Sequence, residues 1–184
     1  MSAEHPIAHT LNELRIMGDY YHPGGRITAL RQSIIGPPIA YSQTQIERTL
    51  DVTFPPDLIA LWQYASSLRL FENVRTGQYG LAITGPDHII ALRREEENYW
   101  RGELRHGDLV LGRLIGTLDI LLLRCDATAP DFGSVVVALA ITHRNEGEWY
   151  IAAPSLREFL TRYLETHGAE FWDEDGGPIV TPRI

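Results

Sequence analysis

Four apolar runs decide the fold: "DLVLG" (108–112), "GTLDILLLRC" (116–125), "GSVVVALAIT" (133–142) and "EWYIAA" (148–153). Each is rich in Val, Ile or Leu and is bounded by Gly, Asp, Asn or Pro, the pattern of strands separated by turns. The intervals between them are too short to hold crossover helices. Parallel pairing needs such a crossover, so an antiparallel meander is the connection predicted.

Outward from these runs the period changes to that of helices. Downstream, "SLRE" (155–158) is a capping box of Ser155 and Glu158, and it opens a helix with Leu156, Phe159, Leu160, Tyr163 and Leu164 as its buried stripe. Gly168 is a C-cap for it. Upstream, "GPDHIIALRREEENYWRG" (85–102) reads as a helix with Ile89, Leu92, Glu96, Tyr99 and Trp100 at helical intervals and its charges outward. "QYGLAIT" (78–84) is a short strand. Before it, "TFPPDLIALW" (53–62) places two prolines at a helix start, where a missing N–H costs nothing and a fixed φ is an asset. Asp57 suits the positive end of that helix. Phe54 is placed to staple the first turn, and Leu58, Leu61, Trp62 and Ala65 form the apolar face. Three further helices are predicted: from Thr10 with a Thr10–Glu13 capping box, over "RITALRQSII" (26–35), and from Ser42 with a Ser42–Gln45 box.

Helices, then strands, then a closing helix give the α+β class. The expected architecture is an antiparallel sheet of about four to six strands with helices packed on one face. Residues 1–36 form an N-terminal helical extension, 37–168 the domain, and 169–184 an acidic C-terminal extension, docked or mobile. That last segment holds Glu170, Asp173, Glu174 and Asp175 against one arginine, Arg183.

Composition narrows the function. At 184 residues the chain fits one domain with extensions. Its one cysteine, Cys125, allows no internal disulfide, and lies in an apolar run as a buried thiol. All 16 basic residues are arginine, which removes lysine Schiff-base and P-loop chemistry. The N-terminus has no basic region followed by an apolar one, and no apolar stretch approaches a membrane span, so a cytoplasmic protein is expected. A formal net charge of −8 argues against binding a phosphate backbone and favours a basic partner. Seven scattered histidines make no metal pattern, and neither a CxxC nor a GxSxG elbow is present. Asp119, inside an apolar run, is expected to point outward by strand alternation. No catalytic residue, cofactor or metal site is expected.

Taken together, "GPPIAYSQTQIERTLDVTFPPDLIALW" (36–62) resembles the opening of the SUKH superfamily, the Smi/Knr-like domain. The matching positions are Pro37, Pro38, Ile46, Glu47, Leu50, Phe54, Pro55, Asp57, Leu58 and Leu61. The strand–turn–strand of 109–126 and the closing strands and helix of 133–165 are also similar to the family. The Asn–Gly dipeptide that often follows the Leu-rich helix is replaced here by "ASSLRLFENV" (65–74).

The resemblance implies a non-enzymatic binding protein. Bacterial members are mainly immunity proteins that neutralise polymorphic toxins, often nucleases, by direct contact, and fungal members are interaction hubs in cell-wall regulation. A toxin-immunity module with a basic toxin domain as partner is the leading expectation. A regulatory scaffold with a housekeeping partner is the alternative, and an unrecognised enzyme the third. Exposed acids are the contacts expected on the leading reading: Glu95, Glu96 and Glu97, and the Asp173–Glu174–Asp175 run.

Overall fold

A computed structural model describes residues 5–17, 20–22, 29–100, 102–140, 149–174 and 179–180. In chain order the elements are α1 (Pro6–Met17), β1 (Tyr20–His22), β2 (Ala29–Ile35), α2 (Gln43–Leu50), α3 (Pro56–Tyr64), β3 (Leu68–Asn73), β4 (Leu81–Ile83), α4 (Ile89–Tyr99), β5 (Asp108–Leu114), β6 (Ile120–Arg124), β7 (Val135–Ala138), β8 (Trp149–Ala153), α5 (Leu156–Glu165), α6 (Phe171–Glu174) and β9 (Ile179–Val180). The class is α+β. All nine strands form one sheet in the order of the chain, and every neighbouring pair is antiparallel. The four apolar runs are β5 to β8, the meander their spacing predicts.

The sheet is wider than the four to six strands expected, because four strands lie where none was read. "RITALRQSII" is not a helix: its described part is β2. Burial there alternates with period two, with Arg31, Ser33 and Ile35 half-buried and Gln32 and Ile34 exposed. The apolar spacing of Leu30, Ile34 and Ile35 fits a helix only because an arginine and a serine occupy inward positions. Both are used. Phe71 in β3 has φ 52°, in the left-handed region, beside a register shift between β2 and β3. Its N–H donates to Ser33 Oγ at 3.1 Å, and its carbonyl accepts from Arg31 Nη1 at 3.1 Å. β3 itself occupies the "SLRLFEN" segment that replaces the family's Asn–Gly turn. β1 and β9 are the other two unread strands, so the N-terminal segment and the C-terminal segment both extend the sheet. The tail is docked at 171–172, where Phe171 and Trp172 are buried and Trp172 stacks on Phe159 with ring centroids 5.9 Å apart.

Both faces of the sheet are covered, which corrects the expectation of helices on one face. Leu109, Leu111, Leu121, Leu123, Val135 and Val137 join the core shared with α1, α3 and α5. Their alternates Val110, Ile120, Leu122, Val136 and Ala138 pack with Leu92 of α4, Trp100 and Trp149 on the opposite face. Strands buried on both faces read as continuous apolar runs, and β6 and β7 are buried at every position.

The helix signals fare unevenly. α3 begins with Pro55 as N-cap and Pro56 at its first position. Phe54 is buried edge-on against Trp62, centroids 5.2 Å apart. The Ser155 cap is formed, with Glu158 N–H donating to Ser155 Oγ at 3.2 Å. Ser42 is the N-cap of α2 without a side-chain cap bond, because the Gln45 box does not close. Thr10 lies inside α1, which starts four residues earlier at Pro6, so it caps nothing. α5 ends at Glu165, ahead of Gly168. With φ 80°, that glycine lies where an added Cβ would sit 2.6 Å from the Phe71 side chain.

Candidate functional site: a groove beside helix α4

Helix α4 carries the "REEEN" charge run, and its geometry divides the three glutamates. Ile89, Leu92 and Glu96 lie at i, i+3 and i+7, so Glu96 falls on the inward stripe and is buried. An isolated buried carboxylate is costly, and this one is paired. Arg113 Nε on β5 donates to Glu96 Oε1 at 2.5 Å, and the Trp100 indole N–H donates to Oε2 at 2.9 Å. Glu96 is therefore a packing residue, which corrects its placement among exposed contacts. Glu95 is 68% exposed and reaches Arg113 Nη2 at 3.1 Å. Glu97 is exposed and lies 3.9 Å from Arg93 along the helix. Burial lowers the proton affinity of Arg113, but the hydrogen bonds to Glu95 and Glu96 outweigh it and hold the guanidinium above its usual range.

These groups wall a groove of about 540 Å³ between α4 and the β5–β6 turn, bounded by Glu95, Glu96, Asn98, Tyr99, Arg113, Thr117 and Leu118. Two of its large side chains face solvent: Tyr99 is 45% exposed and Leu118 65%. Sequence reasoning found the acids and missed these apolar partners. Leu118 carries a signal in retrospect, being a large apolar residue in a Gly–Thr turn that has no buried face to fill.

The second acidic run lies elsewhere. Asp173 and Glu174 close α6, and Asp175 lies outside the described residues.

Other acids hold the scaffold together. Glu47 accepts from the Phe54 N–H at 2.8 Å and from Gln43 Nε2 at 3.2 Å, tying α2 to the residues that lead into α3. Asp57 accepts from the Arg157 N–H at 3.0 Å, linking the starts of α3 and α5. Asp119 is buried before β6, and its carboxylate accepts from the Ala140 N–H at 2.7 Å, which corrects its outward placement. Asp108 and Arg124 form a buried ion pair, with a further hydrogen bond from the Arg105 N–H to Asp108 at 2.8 Å. Burial pushes the Asp108 carboxyl up, against the pull of both arginines.

A smaller hollow of about 350 Å³ lies between α2 and the end of β6, lined in part by Glu47, Asp51, His106, Cys125 and Asp126. Burial is the main cause that pushes the Cys125 thiol far above its usual range, and the charges of Asp108 and Glu47 add to it. A thiol so held is a poor nucleophile at neutral pH. Among the described residues no group of three His, Cys, Asp or Glu side chains is placed to hold a metal ion. Among them, too, no helix is long and apolar enough to cross a membrane.

The class defined by this geometry is a two-sided α+β meander whose buried acids secure its own elements and whose open groove is part acidic, part apolar. The chain belongs to the SMI1/KNR4 family (SUKH-1), whose model matches residues 44–162, nearly two thirds of its length. The match runs from α2 into α5 and includes α4 and the groove. No curated protein is similar enough in sequence to count as a relative.

Proposed function

We propose that this chain is a non-enzymatic immunity-type module that neutralises a cognate toxin domain by direct binding in the cytoplasm. Family membership supports the class of role. The observation that carries the reading is the α4 groove, where exposed Tyr99 and Leu118 adjoin the solvent-facing carboxylate of Glu95. Exposed tyrosine is enriched in protein-binding surfaces relative to the rest of a protein's surface. A net charge of −8 suits a basic target, and a nuclease domain carries positive surface because its substrate is polyanionic. Glu95 and Glu97 are the contacts proposed on α4. Asp173, Glu174 and Asp175 are the further contacts proposed.

The experiment is co-expression with the toxin domain that the chain is proposed to neutralise, sought among the adjacent genes. The expected result is protection of the host together with a stoichiometric complex recovered by size-exclusion chromatography. Continued growth arrest in the presence of folded protein, or protection without a complex, overturns the proposal.

A further inference from the structure

We propose that the α4 groove is a receptor for one arginine side chain of the protein partner. The inference rests on the reading of the chain as a protein-binding module and names what that site takes.

Glu96 by itself balances the single charge of Arg113: Arg113 Nε lies 2.5 Å from Glu96 Oε1, and the other carboxylate oxygen takes the Trp100 indole N–H at 2.9 Å. Glu95 adds a second carboxylate to a guanidinium that is already neutralised, reaching Nη2 at 3.1 Å while 68% exposed. One guanidinium against two carboxylates leaves the groove one negative charge in excess. Arg113 also tethers the exposed Glu95 carboxylate beside the groove, so less side-chain freedom is lost when a cation arrives.

The apolar surroundings choose among cations. Tyr99 and Leu118 are 45% and 65% exposed and line the same groove. A compact, strongly hydrated ammonium gains little there. A guanidinium is planar and weakly hydrated, stacks on an aromatic ring, and presents a fork to a carboxylate. Its methylene stem covers an aliphatic neighbour such as Leu118. An acidic side chain would meet the surplus charge of Glu95, and a purely apolar one would cover that carboxylate without pairing it.

The test is a ¹⁵N NMR titration of the full chain with the blocked tripeptide acetyl-Gly-Arg-Gly-amide, run beside its citrulline, lysine and glutamate counterparts. The arginine peptide is expected to shift amides within 95–99 and 113–118, saturating on the order of 1 mM. Citrulline keeps the shape and loses the charge, so its response should be about fivefold weaker, and E95Q should weaken the arginine response about fivefold, the upper end for an exposed ion pair. L118S should weaken it as well. An unshifted Trp100 indole resonance in E95Q shows that the Glu96 network is intact.

Equal responses to arginine and citrulline, shifts confined to other regions, or an unchanged response in E95Q overturn the proposal. A lysine response equal to arginine's overturns the choice of side chain. Failure here is distinct from failure of the immunity reading. A toxin complex that forms equally with wild type and E95Q, with no peptide response, removes the groove and keeps the role. A selective arginine response without neutralisation removes the role and keeps the groove.

Discussion

Glu95 and Glu96 are adjacent in sequence and opposite in consequence. Glu96 pairs inward with Arg113 and Trp100, so Glu96→Ala takes the acceptor from Arg113 Nε and from the buried Trp100 indole N–H and should cost about 2 kcal/mol. Glu95→Ala removes only a solvent-facing partner and should cost less than about 0.5 kcal/mol. Denaturant melts of the two variants check this, and equal losses would mean that Glu96 is not the buried member of the pair. Reversing all three of Glu95, Glu96 and Glu97 to arginine therefore disrupts the fold as well as the charge, and only Glu95 and Glu97 are clean probes of binding. Cys125 gives a second test at this scale. Because burial raises its pKa, the folded protein keeps the thiol protonated through and above the pH range in which a free thiol ionises. The linkage has one sign. The folded state binds the proton more tightly, so stability is unaffected well below the ordinary thiol pKa of about 8.5 and falls as pH rises past it. Labelling with a thiol reagent at pH 8 should be negligible in native protein and reach one equivalent in denaturant. Rapid native labelling would show an accessible thiol.

Between elements, stability is concentrated at a few junctions. Gly168 admits the Phe71 side chain, which lies edge-on to Tyr163 at 5.6 Å and so pins β3 to α5. Gly168→Ala places a Cβ against Phe71 at a backbone φ of 80°, and should cost about 2 kcal/mol. Ser155→Ala removes the formed cap of α5 and should cost about 1 kcal/mol. A urea titration of both variants checks the pair, and an unchanged midpoint in either would mean that its junction is absent. The same scale shows what was legible in advance. The β5–β8 meander, α3 and α5 were readable because local signal and tertiary packing agree: double proline, cap and stripe, apolar run. β2 was misread because its inward positions hold Arg31 and Ser33, chosen to satisfy the Phe71 backbone rather than to fill a core. β3 was missed because Arg69 and Glu72 break its apolar run. They pair with each other, Nε to Oε2 at 2.7 Å, on a strand whose other residues are mostly buried. The acids of the groove were legible as a charge run. Tyr99 and Leu118 were not marked as its partners, since only the third dimension brings the end of α4 to the β5–β6 turn.

At the scale of the whole molecule, nine strands in chain order leave no separable extension among the described residues: β1 and β2 at one edge and β9 at the other continue the same sheet. Deleting residues from 170 onward would remove Phe171 and Trp172 from the core, and Trp172→Ala alone should cost about 3 kcal/mol. The acidic tail is thus unsuited to probing by truncation, and charge-neutralising substitutions at 173–175 are the appropriate tool. A negatively charged module that meets a basic partner should gain most of its charge advantage in the encounter rather than in the final complex. The decisive measurement is the association rate with the toxin domain that the chain is proposed to neutralise, taken across ionic strength for wild type, Glu95→Arg and Glu97→Arg, with circular dichroism confirming the fold. The charge complementarity predicts a wild-type rate that falls steeply with salt. It predicts a rate for Glu95→Arg about tenfold lower at low salt with a flatter slope, and a smaller change of the same kind for Glu97→Arg. Identical rates and identical salt slopes for folded wild type and both variants would contradict it and move the binding surface away from α4.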